Sequence, residues 1–178
     1  MAGKEVLSLN KTKHKRLLQI LLVLLTIGVI VFIFSNSREN GIDSSSRSQQ
    51  ITRFINYALR SVNIPWKVSE HMVRKAAHFL EYALLGFFAA LTAASFTARK
   101  LLRGIIAFPL CLIVAVLDEN IQRFSVGRTP SKIDVLIDFC GSSFGICFAI
   151  GILIWVLYIT HKYSVPAENL PGQQSKPS

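Results

Sequence analysis

The sequence predicts an all-α polytopic membrane protein: a four-transmembrane-helix bundle with an additional extracytoplasmic amphipathic helix. Three observations carry that expectation. Of the 178 residues, 51% are apolar, and mean hydropathy is +0.43, outside the usual range of soluble domains. Four apolar stretches, at residues 17–34, 76–96, 101–117 and 133–159, match the roughly 17 to 25 helical residues that cross a hydrocarbon core about 30 Å thick. Around them the chain turns polar, which divides it into a basic N-terminal segment at 1–16, a membrane domain at 17–160 and a tail at 161–178.

The first span follows Lys11, Lys13, Lys15 and Arg16. A signal peptide begins this way, but the apolar run is too long for one and "FIFSNSREN" has no small-x-small cleavage site. It reads as an uncleaved anchor. The loop at 35–65 opens with a polar linker, "SNSRENGIDSSSRSQQ". Ile51, Phe54, Ile55, Ala58, Leu59 and Val62 then recur at helical spacing opposite Arg53, Asn56 and Arg60. That periodicity describes an amphipathic helix lying in the membrane interface or roofing the bundle. Pro65 ends it, and Trp66 suits the headgroup zone.

Ser69 is placed to cap the next helix, with Glu70 in its first turn, where the helix dipole favours an anion. From there to Phe96 is about 40 Å of helix, so its first two turns should project from the outer face. Pro109 should kink the third span, which bundles tolerate when neighbours satisfy the freed carbonyl. Lys162 closes the fourth span, and the polar, Pro-containing tail is expected to be disordered. Cys111, Cys140 and Cys147 lie within spans. The last two sit about 10 Å apart along one helix face, too far for a disulfide, so all three read as packing residues.

The formal charge of +10 raises nucleic acid as a partner. No basic, aromatic-rich soluble domain exists to bind a strand, so membrane lipids are the expected partner and nucleic acid is not. Basic residues number ten on each side of the membrane, so orientation rests on where they concentrate. Lys11 to Arg16 abut the first span, and Arg99, Lys100 and Arg103 crowd the tight loop between the second and third. The positive-inside rule places both groups, and with them both termini, in the cytoplasm.

Alternate crossings bring the start of the second span, the end of the third and the start of the fourth to one membrane face. That face collects Arg74, Lys75, His78, Glu81 and Tyr82 from the second span. Asp118, Glu119, Gln122 and Arg128 come after the third, and Asp134 and Asp138 from the fourth. Glu70, Arg74, His78 and Tyr82 are spaced four apart and share one stripe, and Asp118 and Gln122 share another. An ionised carboxylate facing lipid costs about 2.5 kcal/mol or more at the bilayer centre. Glu81 and Asp138 should therefore face inward and find partners among Arg74, His78 and Arg128. Asp134 fits a capping box with Ser131, whereas Asp138 lies one turn too deep for that role. Gly141 and Gly145 would let a neighbouring backbone come close. Arg74, Lys75 and Lys132 also read as headgroup anchors.

These residues carry a resemblance. "RKAAHFLEY", "DENIQRFSVGR" and "DVLIDFCG", in that order, together with "FSNSRENG" after the first span, resemble the VanZ-like family of small bacterial membrane proteins. The likeness covers roughly residues 20 to 160 and places Arg74, Lys75, His78, Glu81, Tyr82, Asp118, Glu119, Gln122, Arg128, Asp138 and Gly141 on motif positions. It implies a multi-pass protein of the bacterial cell membrane, and its namesake is associated with lowered sensitivity to teicoplanin.

Three functions are open at this stage. The cationic rim and acidic pocket could bind an envelope lipid, a lipid-linked wall precursor or a lipophilic antibiotic at the outer leaflet. Alternatively, His78 with Glu81, Asp118, Glu119 and Asp138 could ligate a divalent cation, or His78 act as general base, in an intramembrane enzyme acting on a phosphodiester. Third, the polar network could serve only to lock the helices together. The first reading expects no cofactor and no metal, and sequence names no catalytic residue.

Overall fold

The computed structural model describes residues 2–97, 99–127 and 131–163. Five helices follow one another: α1 (Ala2–Ser37), α2 (Gly41–Ser61), α3 (Glu70–Phe96), α4 (Lys100–Arg123) and α5 (Lys132–Tyr163). No strand occurs among the described residues. All but α2 are long and apolar enough to cross a membrane, and the chain is a multi-pass membrane protein. Each helix outruns the apolar stretch that marks it. Residues 161–163 form the last turn of α5, and the rest of the expected disordered tail, 164–178, lies outside the described residues.

Helix α3 is the hub. It packs on α1, α2 and α4 and most extensively on α5. Lipid tails are as apolar as leucine, so helices in a bilayer gain little from burying large side chains and associate through close packing of small ones. The core obeys this: Ala89, Ala90, Ala107, Ala115 and Ala149 are buried between the helices with Leu85 and Ile146. Phe144, Phe148 and Trp155 point away from the bundle. Gly141 and Gly145 of α5 face α3. A Cβ at Gly141 would run into the backbone of Phe79, and one at Gly145 into that of Ala83. Gly86 of α3, which the sequence did not single out, meets the backbone of Ser142 in the same way. Between α1 and α3 the contact is partly polar, with Thr26 and Thr92 hydroxyls 2.9 Å apart and Gln19 donating to the Ser95 carbonyl at 2.9 Å.

Helix α2 differs from expectation in extent. The Ser-rich segment is helical, because Asn40 caps it by accepting a hydrogen bond from the Asp43 amide. Ser48 and Thr52 donate to carbonyls one turn back. The helix ends at Ser61, four residues before Pro65, where Asn63 takes a positive φ of 58°. Ser44 and Ser48 are buried, and Asn56 turns inward to hold both the amide and the carbonyl of Val68. Ile42, Phe54 and Tyr57 face outward. The small hydroxyls permit close approach to the bundle, and the larger apolar groups are left for the surroundings.

Ser69 caps α3 as expected, accepting from the Met72 amide. Helix α4 stays continuous through Pro109. Among the cysteines, Cys111 is buried and Cys140 and Cys147 are exposed, and none is bonded to another.

Leucine at Gly145 or Gly86 must push apart two backbones that have no flexible side chain to yield. Overpacking of this kind costs about 1–3 kcal/mol or more. Thermal unfolding in detergent should therefore fall sharply for Gly145→Leu and Gly86→Leu. Gly28→Leu, at a position with open space, should unfold within a degree or two of wild type.

Candidate functional site

Alternate crossing has the geometric result the sequence implies. The end of α1, the start of α3, the end of α4 and the start of α5 meet at one end of the bundle. Side chains from different helices tie them there. Asn36 of α1 donates to Glu81 Oε1 at 2.9 Å. Gln122 of α4 donates to Ser37 Oγ of α1 at 3.3 Å and, within its own helix, to Asp118 Oδ2 at 3.0 Å. Ser125 donates to the Ser37 carbonyl at 2.8 Å, and Lys75 Nζ meets Asp134 Oδ1 at 3.1 Å.

Burial is deepest where the acids are. Tyr82 and Asp118 are 0% exposed and Asp138 is 1% exposed, and Glu119, Gln122 and Ser37 are also buried. Withdrawing a carboxylate from water costs several kcal/mol unless a partner or hydrogen bonds compensate. Glu81 and Asp134 have such partners. Asp138 faces His78, with Nδ1 to Oδ1 at 3.8 Å, beyond hydrogen-bond reach. The Tyr82 hydroxyl looks toward Asp118 and Asp138.

Asp134 departs from the capping-box expectation. Ser131 does cap α5, its hydroxyl accepting from the Ile133 amide. The acid that accepts the Ser131 amide is Glu119 of α4, while Asp134 reaches across to Lys75. A reciprocal cap within one helix has become a clamp between two, which is possible because α4 runs on to Arg123 and so carries Glu119 beside the start of α5. Lys75 is thus ion-paired as well as placed for headgroups. Lys132 remains exposed.

Two clefts open beside this cluster. One, of about 160 Å³, is lined by His71, Arg74, Lys75, His78, Gln122 and Asp134 among others. The second, of about 230 Å³, lies between α1, α2 and α3 and includes Phe32, Asn36, Arg47, Ile51 and Glu81. Arg74 and His78 line both and so form the wall between them. Arg74 makes no ion pair among the described residues. The donor atoms of His78, Asp118 and Asp138 lie within 4.8 Å of one another, the one set among the described residues that could hold a metal.

The structure therefore assembles Arg74, Lys75, His78, Glu81, Tyr82, Asp118, Glu119, Gln122 and Asp138, with Gly141 and Gly145 setting the packing beneath. Arg128 lies outside the described residues. Sequence reasoning did not weigh Asn36 and Ser37 as site residues. Their signal was available in the polar "SNS" that closes an otherwise apolar first span.

A family model described as VanZ/LLP1 matches residues 21–169 of the chain. No curated protein and no solved structure matches it.

Glu119→Ala deletes the acceptor of the Ser131 amide and should cost about 1 kcal/mol, the usual worth of a cap. Hydrogen exchange should report it as faster exchange confined to the first turn of α5, with α3 amides unchanged. Exchange left unaltered at 131–134 would mean that Glu119 does not hold that turn.

Proposed function

The chain belongs to the VanZ/LLP1 family, and on that premise we propose that it binds an anionic headgroup at the polar end of the bundle. The ligand class is an envelope lipid, a lipid-linked wall precursor or a lipophilic glycopeptide. Occupying that site lowers sensitivity to teicoplanin-type antibiotics. The observation that carries the reading is Arg74: a guanidinium in the shared wall of two clefts, with no ion-pair partner among the described residues. A guanidinium matches phosphate or carboxylate oxygens in a bidentate fork, and Lys75 and His71 lie on the same rim.

The second cleft supports the lipidic part of the ligand. Phe32 and Ile51 contribute apolar wall to it, and the outward Phe54 and Tyr57 of α2 continue that character toward the hydrocarbon. With both termini in the cytoplasm, as the concentration of basic residues at the opposite end favours, the clefts open to the outer leaflet.

An enzyme acting on the headgroup is the second reading. It is favoured by His78, which borders the cleft and stands beside two buried carboxylates, a placement suited to activating water.

Protein in lipid nanodiscs tests the binding. Replacing neutral phosphatidylcholine by phosphatidylglycerol should raise the unfolding temperature. Arg74→Gln should weaken phosphatidylglycerol binding about fivefold, the equivalent of roughly 1 kcal/mol for one basic residue at a membrane surface. In cells, wild type should raise the teicoplanin concentration needed for inhibition, and Glu81→Ala at equal membrane abundance should not. Equal behaviour of the two lipids in wild type and variant would end the headgroup reading, and hydrolysed headgroup in the same samples would replace it with the enzyme.

A further inference from the structure

We propose that His78, Asp118 and Asp138 hold one divalent cation of the zinc or manganese class beneath the cleft. The inference goes beyond headgroup binding and does not depend on it. Its starting point is Asp138. The side chain is 1% exposed, and neither carboxylate oxygen has a hydrogen-bond partner among the described residues. Native proteins rarely leave a buried polar atom unmatched, and an unfilled ion position is one of the recognised reasons. His78 at 3.8 Å stands at the separation of two ligands on one ion rather than of a hydrogen-bonded pair.

The geometry fits a cation. Ligands around a zinc-like ion sit about 2.0–2.2 Å from it and hence roughly 3 to 3.5 Å from one another. Donors already within 4.8 Å need only side-chain rotation to close on it. Charge fits as well, since two carboxylates balance one divalent ion. The donor chemistry is one imidazole nitrogen and two carboxylate oxygens without a thiolate, which suits zinc or manganese and disfavours copper(I) and iron–sulfur clusters.

A supporting shell is in place. Gln122 donates to Asp118 Oδ2 at 3.0 Å, orienting that carboxylate as outer-shell partners of metal ligands do. The three ligands come from three helices, α3, α4 and α5, so the ion would fasten the same helix ends that the polar contacts tie. His78 borders the open cleft, which gives an entry route and leaves coordination positions facing it.

The test uses full-length protein in nanodiscs, stripped with chelator and then titrated with manganese(II) and, separately, zinc(II). About one equivalent should bind, and the unfolding temperature should rise on binding. His78→Gln and Asp138→Asn should lose affinity at least tenfold, and Gln122→Leu between about 10- and 100-fold. Asp43→Asn, an exposed carboxylate of α2 outside the cluster, should bind as wild type does. Asp138→Asn is near-isosteric, and if it does not fold, His78→Gln and Gln122→Leu decide the matter. Wild type that retains no more metal than His78→Gln overturns the proposal. So does metal-free wild type of full stability that Arg128→Gln destabilises, because the acids are then neutralised by that guanidinium. Phosphatidylglycerol binding measured with chelator present separates failure of this site from failure of the headgroup reading.

Discussion

The backbone of α3 rests directly on the backbone of α5, and the rest of the polar end depends on that contact. Gly86, Gly141 and Gly145 make it possible, because any side chain at these positions would occupy space that main-chain atoms of the partner already fill. In a bilayer this contact substitutes for the hydrophobic drive that water supplies to soluble bundles. One turn above it stand Tyr82 on α3 and Asp138 on α5, brought together by the close approach below rather than by their own attraction. Two helices held a few ångströms further apart would leave Asp138 exposed to lipid, where an acid cannot stay ionised cheaply.

Three of the acids at that end take their donors from another element, while Asp118 takes one from Gln122 on its own helix. Glu81 on α3 takes its donor from α1, Asp134 on α5 from α3, and Glu119 on α4 takes the amide of Ser131, the residue just before α5. Each bond couples two elements and fixes one in depth and rotation relative to the other. A set of residues that would be costly singly thus becomes a means of registering helix ends, and Asp138 is the member that this exchange leaves unmatched.

The fold was legible because crossing a bilayer restricts the chain to helices of known length, and because alternation of sides follows from counting. The site was legible for a related reason: acids in an apolar chain have to point inward. What escaped was anything decided by a partner's exact position. The Ser-rich segment looked like a linker, since serine favours helices weakly, but Asn40 starts the helix and close packing on α3 rewards small hydroxyls. The Ser131 and Asp134 pair looked like a self-contained cap, yet Lys75 and Glu119 compete for its two halves from other helices. Gly86 lies among apolar residues with nothing in its neighbourhood to distinguish it from Gly28, where an added Cβ would meet open space.

Helix α2 has a lasting consequence for how the molecule must be handled and where it can exist. Its buried hydroxyls, Ser44 and Ser48, face the protein, and Ile42, Phe54 and Tyr57 look outward, so it is turned inside out by the standards of a water-soluble lid. Only a medium that welcomes those rings keeps it seated, which makes the surrounding lipid a structural component of the cleft's second wall. A solvent able to coat the spans yet unable to mimic the interfacial layer would loosen that wall first and leave the four-helix core standing.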